Sequence, residues 1–579
     1  MRRTVVVVLA LAIPLSARAA GVTNAADDRR TGWYPDQAWL APSFVAGGGF
    51  SQRFNIQIQG QVYAQPLVIN RSLFVATEEN WIYRIDPESG AVLWRRQVAQ
   101  PWKAADIECP DLAPWIGITG TPVVDEATNT AYFFSKTYAS GTSGPAAYFA
   151  HAVDLITGVE RPSFPVAIAG KAQNSEQVFG ATYELQRTGL LLMDGVVYAG
   201  FGGICDTSPW QGWIAGVSTS GELKALWTSR GTLGGDGAAI WQSGGGIVSD
   251  GPGRLIVATG NGGSPGQPIP GDAPPADLGQ SVVRLNVQAD GTLAATDFFS
   301  AWDGPTLDYS DTDLGSGGPI ALPDDFGTAK YPHVALEIGK EGLLYVLNRD
   351  HLGGCQEGTN QGDDVLDEIP GLGGVWARPS CWPGDGGYVY FPTSGLESSP
   401  LRVMKLATDH NGTPTFTLVA SSADDFGFGS SSTVVTSNGM QSGSALVWIV
   451  YMADESGAGA ELRAYDAVPT GGAPVLRYAA PVGTGSKFNP PGIGFGRVYV
   501  GTRDGRVLGF GAPPIQLHIG KRAGSVHLTW TGGTAPYTLR RAEDPDFKVN
   551  VMTLIDHQVV TSYDEPGLDD GKTYYYDLH

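Results

Sequence analysis

The feature that most restricts the fold of this chain is a repeat. Between residues 62 and 511 the sequence returns to one pattern: an apolar run ending in a turn, a strand rich in aromatic and β-branched residues, and a strand leading into Asp-x-x-x-Gly. The clearest unit is VYAQPLVI (62–69), LFVAT (73–77) and YRIDPESGAVLW (83–94). ITGTPVVD (118–125) leads into HAVDLITGVE (151–160), VVYAGFGG (196–203) into IAGVSTSGELKALW (214–227), and LIVATGNG (255–262) into VVRLNVQADGTL (282–293). Later units run through LLYVLNRD (343–350), RVMKLATDHNGT (402–413), ELRAYDAVPTGG (461–472) and VYVGTRDGRVLGFG (498–511). Alternating residues make half-buried strands, and Asp with Gly makes the hairpin turns. One such sheet cannot bury both of its faces, but radial stacking of sheets can. The pattern therefore predicts an all-β chain built on an eight-bladed β-propeller of four-stranded antiparallel blades, or seven if the Gly-rich stretch near 370–400 is not a unit of its own. The last unit supplies three strands, so FSQRFNIQIQG (50–60) is expected to pair with it and close the ring, which removes exposed edges.

Composition agrees with many short strands joined by tight turns: 80 Gly and 39 Pro in 579 residues, with only 16% charged. The two ends depart from the repeat. Residues 1–19 place Arg2 and Arg3 ahead of the apolar run 5–15 and small residues at Ala17 and Ala19, which reads as an export signal. Residues 20–46 form a non-repeating N-terminal segment, and the propeller is assigned to 47–512. No later stretch reaches the ~18 apolar residues of a membrane span. Loss of Arg2, Arg3 and Arg18 takes the formal charge from -21 to -24, an excess that repels phosphate backbones, so nucleic acid is not an expected partner. From Pro513 and Pro514 the character changes, and alternating strands within 513–579 read as a small β-sandwich that resembles a fibronectin type III module, short by its last strand. GLDDGKT (567–573) imitates a phosphate loop but precedes a strand, not a helix.

Four cysteines, in an exported chain, are expected to pair; three connectivities are open. Cys355 with Cys381 closes the shortest loop, which leaves Cys109 with Cys205. No CxxC, CxxCH or HExxH occurs, so zinc and c-type haem have no support.

The Asp-x-x-[ST]-Gly-x-x-x-Trp pattern of 86–94, echoed at 214–227, resembles the docking motif of quinoprotein alcohol dehydrogenases, enzymes that use pyrroloquinoline quinone (PQQ). WQSGGG (241–246), ATGNGGSP (258–265), SDTDLGSGG (310–318) and GKEGLLYVLNRD (339–350) follow further stretches of that family in order. The resemblance implies a PQQ and calcium site. Asn261 would bind calcium and lie at the cofactor, Asp311 or Asp313 would act as base or metal ligand, and Lys340 would support the quinone. Asp206 is the stand-in for a calcium-binding glutamate, and Trp241 is an aromatic that could pack on the cofactor, as Trp115 or Trp210 could. A hard cation polarising a quinone carbonyl, a carboxylate taking the alcohol proton and a lysine beside the developing charge make coherent chemistry.

The sequence also departs from that pattern. Cys109 is followed by Pro110, so the family's vicinal disulfide cannot form, and Ser249 stands where a stacking tryptophan is expected. Losing two aromatic or disulfide faces, at about 1–3 kcal/mol each, is worth roughly two to four decades of affinity. The expectation is thus an exported PQQ-like propeller that binds a small molecule or a protein at its faces, with a divergent PQQ- and calcium-dependent oxidoreductase as the alternative. The acidic run 308–313 also suits calcium held for structural reasons alone.

Overall fold

The computed structural model describes residues 22–578, apart from 70, 396–398, 514, 523–524, 534–536, 544–546 and 567–573. The export signal and the phosphate-loop look-alike lie outside these residues. From 51 to 511 the described strands form eight sheets of four or five strands, besides a small pair, Trp102–Lys103 with Trp115–Ile116. In chain order their long hairpins are Ser72–Ala76 with Trp81–Ile85, Thr130–Ser140 with Ser143–Asp154, Val196–Gly203 with Trp213–Ser218, Arg254–Ala258 with Ser281–Val287, Val334–Ile338 with Leu344–Asn348, Tyr388–Pro392 with Leu401–Thr408, Leu446–Tyr451 with Ala460–Asp466, and Arg497–Gly501 with Arg506–Gly511. The eighth sheet takes its outer strand from the other end of the chain: Ser51–Gln57 runs antiparallel to Arg506–Gly511.

What makes this a ring is the ownership of the cores. Phe74 and Ile82 of the first sheet pack with Ala131 and Phe133 of the second, and the second and third share Tyr148, Phe201 and Trp213. The same holds at each step round to the seventh and eighth, where Trp448 meets Phe510. The eighth returns to the first through Tyr499, Phe54 and Val75. Each sheet thus buries both faces against its neighbours, the arrangement of a β-propeller. The Asp-x-x-[ST]-Gly turns have a structural job here. Asp86 Oδ1 accepts from Ser89 N and Oγ at 2.8 and 2.7 Å, and Asp154 does the same with Thr157. Trp94, which ends the first unit, donates Nε1 to Leu155 O of the next sheet at 3.0 Å and covers Gly158.

The N-terminal segment, which has no repeat, laces this ring. Val22 O accepts from Val124 N, Asp28 O from Ser249 N, Arg29 O from Ala321 N, Thr31 O from Cys381 N and Gly32 O from Val435 N. Trp33–Tyr34 then adds a parallel strand beside Val434–Thr436, and Gln37 Oε1 accepts from Gly496 N. Residues 22–37 therefore visit the innermost strands of the second to the eighth sheets in turn. At its centre Arg30, fully buried, donates to Thr23 Oγ1 and to the carbonyls of Asn24, Asp27, Leu190 and Ile247.

The Gly-rich turn of 243–246 also fills the channel. Gly244 O accepts from Ser432 Oγ of the seventh sheet, and Gly245 O from Gly189 N of the third. A Cβ on Gly244 would lie 2.2 Å from Phe488 O, and its φ is +69. Glycine is required there because main chains from several sheets meet on the axis.

Beyond 512 the strands form two three-stranded sheets, with Leu528 and Trp530 of one packing against Leu539 and Ile555 of the other, a small β-sandwich.

One expected pairing is corrected. Cys109 and Cys205 form a disulfide with Cα atoms 5.8 Å apart, but Cys355 and Cys381 are buried free thiols. They sit in different walls: Cys355 packs between the third and fourth sheets and Cys381 between the fifth and sixth. Closeness in sequence does not bring them together across the ring.

Candidate functional site

One mouth of the channel carries a cluster built from three turns. Asn261 follows the strand Arg254–Ala258, Asp311 and Asp313 follow the short helix Gly304–Tyr309, and Lys340 sits in the turn between Val334–Ile338 and Leu344–Asn348. Asn261 N donates to Asp313 Oδ1 at 2.6 Å, and its Nδ2 to Asp311 Oδ1 at 2.9 Å. Lys340 Nζ lies 2.5 Å from Asp313 Oδ2 and 3.2 Å from Asp311 Oδ1. A Cβ at residue 260 would stand 2.3 Å from Asp313 Oδ1, so glycine permits this approach. Asp308, by contrast, is spent on the turn, accepting from Gly262 N and from Ser264 N and Oγ.

Burial pushes the Asp313 carboxyl up, against the opposing charge of Lys340. Burial would lower Lys340, but Asp313 and Asp311 outweigh it and hold the ammonium above its usual range. Asp206 is raised by burial and then by repulsion from Asp311 and Asp313. Lys340→Met therefore leaves Asp313 ionised without a counter-charge. The expected loss at neutral pH is about 2–3 kcal/mol, below the value for a fully dry pair because water reaches Asp311. Because the folded pKa of Asp313 is raised, ionising it costs stability as pH rises through the carboxylate range, and the cost grows without the lysine. The deficit should shrink below about pH 4, where the carboxyl is protonated in both states. Urea midpoints of both proteins at neutral and acid pH check this.

From the Lys340 turn onward the rim is aromatic and basic. Trp376 and Phe428 pack edge to face at 5.5 Å, and Phe428 and Phe488 at 5.4 Å. The Arg187 guanidinium lies 5.9 Å from both Tyr63 and Phe488 and donates Nη2 to Lys487 O. Lys487 Nζ reaches Asp111 Oδ1 at 3.4 Å, and Asp111 in turn acts on Asp206, so the two halves share one field. The sequence reading missed this half, because its residues come from five sheets and share no motif.

Of the remaining sequence candidates, Trp241 shares its packing with Tyr63 and so borders the mouth. Trp241 packs with Cys109, Leu185 and Ile204 and lies over Gly202. Trp210 covers Gly203 and is buried. Trp115 lines a groove of about 550 Å³ with Lys103, Cys109 and Pro110. Ser249 pairs with Leu255, six residues before Asn261, which is roughly 15–20 Å along a strand. It lines a charged cleft of about 460 Å³ beside Asp28 and Arg349, on the laced side of the ring. A serine there was expected at the cofactor floor, and it is not at that mouth.

No protein-family model matches the chain, and no curated protein matches it. Among solved structures, it is similar to quinohemoprotein alcohol dehydrogenase ADHIIG from Pseudomonas putida HK5, with a TM-score of 0.55 and 14% identity over 86% of this chain and 80% of that one. The shared fold is a β-propeller like that of this dehydrogenase. Weaker likenesses to this propeller are BamB from Moraxella catarrhalis, with a TM-score of 0.45 and 12% identity over 80% of this chain and 99% of that one, and a europium-containing methanol dehydrogenase, with 0.42 and 13% over 88% and 89%. At such identities the likeness concerns the fold, and the propeller's function has to be argued from its own residues.

Proposed function

We propose that the chain is an exported PQQ-like propeller that acts as a binding platform for a small molecule or a protein at the Asn261 mouth, without quinone redox chemistry. The observation that carries this reading is the position of Lys340. Its ammonium lies between Asp311 and Asp313, within hydrogen-bond reach of both, so the protein supplies its own cation where calcium would have to sit. Asn261 turns its amide donor, not its oxygen, toward Asp311. Among the described residues, the one group of three His, Cys, Asp or Glu ligand atoms within 4.8 Å of one another is Cys109, Asp111 and Cys205, and those sulfurs are bonded to each other. The residues present do not fit the calcium and quinone of the dehydrogenases.

A mouth with carboxylates on one side and aromatic rings with Arg187 and Lys487 on the other suits a partner that offers both polar and flat apolar surface. Residues 1–19 and the Cys109–Cys205 disulfide support placement outside the cytoplasm. The convergence of Asn261, Asp311, Asp313 and Lys340 is what favours the second reading, a divergent quinone oxidoreductase with Asp311 or Asp313 as base. Dye-coupled oxidation of alcohols and sugars, with PQQ and calcium added to purified protein, separates the two. The expected rate is that of the heat-inactivated control, and sustained turnover favours the oxidoreductase.

A further inference from the structure

A cleft of about 460 Å³ opens on the laced side of the ring, between the fourth and fifth sheets, a size in the range of small-molecule sites. Its arginines come from three elements. Arg29 belongs to the lacing segment, Arg254 opens the strand Arg254–Ala258, and Arg349 follows Leu344–Asn348, its main-chain N bonded to His333 O across the hairpin. Most carboxylates of the wall are already committed. Asp250 accepts from Arg349 Nη1 at 2.9 Å and from Arg284 Nε at 3.1 Å, Asp350 pairs with His333 Nδ1 at 2.9 Å, and Asp27 accepts from Thr31 N and Oγ1.

Arg349 does not spend its whole guanidinium on Asp250. The residue is 4% exposed, yet its Nε and Nη2 have no hydrogen-bond partner among the described residues. These two nitrogens share one edge of the planar group, and that edge grips an oxyanion through two parallel bonds. Arg477 uses the same edge on Asp466, Nε to Oδ1 at 2.8 Å and Nη2 to Oδ2 at 2.6 Å. At Arg349 the edge is unfilled. Asp324 Oδ1 stops 3.9 Å short of Nη2 and is held instead by Arg29 Nη1 at 3.0 Å. Buried donors are normally met, the more so when charged, so an open edge on the wall of a cleft calls for an oxyanion.

We propose that this cleft binds the carboxylate or phosphate end of a small hydroxylated molecule, gripped by Arg349 Nε and Nη2, with Arg29 and Arg254 at the entrance. The Asp324 side chain is 64% exposed, so it can swing aside as the incoming anion takes its place between Arg29 and Arg349. The wall also carries Asp28 and Asp350, whose carboxylates suit the ligand's hydroxyls and disfavour a second anionic end. The site does not depend on the reading of the mouth, since none of its residues belongs to the Asn261 cluster or to the rim of Arg187 and Lys487.

The test is isothermal titration calorimetry of the full chain at fixed ionic strength with glucuronate, glucose 6-phosphate and glucose. One saturable equivalent is expected with glucuronate or with glucose 6-phosphate, whichever binds naming the anion, and none with glucose. Arg349→Lys keeps the charge but loses the fork, and should weaken binding by roughly tenfold or more. Arg254→Gln, at an exposed position, should weaken it by roughly threefold, and Asp324→Asn, which removes the competing carboxylate, should tighten it by about as much. Saturation by neither anion, equal binding of glucose, or an affinity that neither Arg254→Gln nor Asp324→Asn changes overturns the proposal, whether or not Arg349→Lys folds. Binding that is lost with Lys487→Gln belongs to the mouth and overturns it as well.

Discussion

Gly244→Val should destabilise the chain by about 4 kcal/mol or more, because it combines a steric clash with a backbone conformation that a β-branched residue avoids. The new Cβ would meet Phe488 O at 2.2 Å and Ser432 Oγ at 2.6 Å. Neither can retreat. Phe488 N is bonded to Gly429 O, and Ser432 Oγ is held between Gly244 O and Arg378 N. Arg378 is itself fully buried and donates to Arg30 O and Thr433 O, so the displacement would spread to the sixth and seventh sheets. Close-packed interiors transmit such a shift instead of absorbing it. Gly253, which also has positive φ but would place a Cβ with nothing within 4 Å of it, is the control: Gly253→Ala should cost about 1 kcal/mol, the conformational part alone. Urea unfolding followed by tryptophan fluorescence measures both.

Arg30→Met is the second large effect. The methionine keeps much of the volume but removes every side-chain donor, and takes a hydrogen bond from acceptors of the lacing segment, the third sheet and the fourth sheet. Each orphaned buried acceptor costs about 1–3 kcal/mol, although Leu190 O keeps its bond from Thr23 Oγ1 and relaxation recovers part of the rest. The expected loss is about 4 kcal/mol, with earlier hydrogen exchange at Ser249 and Val124, whose amides bond to this segment. A loss below about 1 kcal/mol would mean that the lacing segment adds little to the ring.

The ring was legible in the sequence because its unit is local. Apolar alternation, the Asp-x-x-[ST]-Gly turn and the terminal tryptophan lie within single hairpins, and the structure uses them there, as at Asp86 and Trp94. The closing strand was legible for a related reason, since the last unit lacked one and Ser51–Gln57 had the right alternation. The lacing segment was not legible. It bonds through backbone groups to strands far apart in sequence, and backbone bonding leaves no side-chain period. WQSGGG was read for its resemblance to a cofactor segment, whereas its glycines serve close packing on the axis. Half of the mouth was found through motifs at Asn261, Asp311, Asp313 and Lys340. The other half, from Trp376 to Arg187, is an outcome of ring geometry that no local pattern encodes. The cysteines show the same limit: loop length favoured Cys355 with Cys381, and the walls of the ring separate them.

The function of the mouth turns on whether the Lys340 ammonium has taken the cation's place there. Equilibrium dialysis of purified protein against PQQ in calcium-containing buffer measures this without any assumption about substrate. Equal quinone absorbance on both sides of the membrane is the predicted result. One quinone accumulated per chain, dependent on calcium and lost in Asn261→Ala, would contradict it.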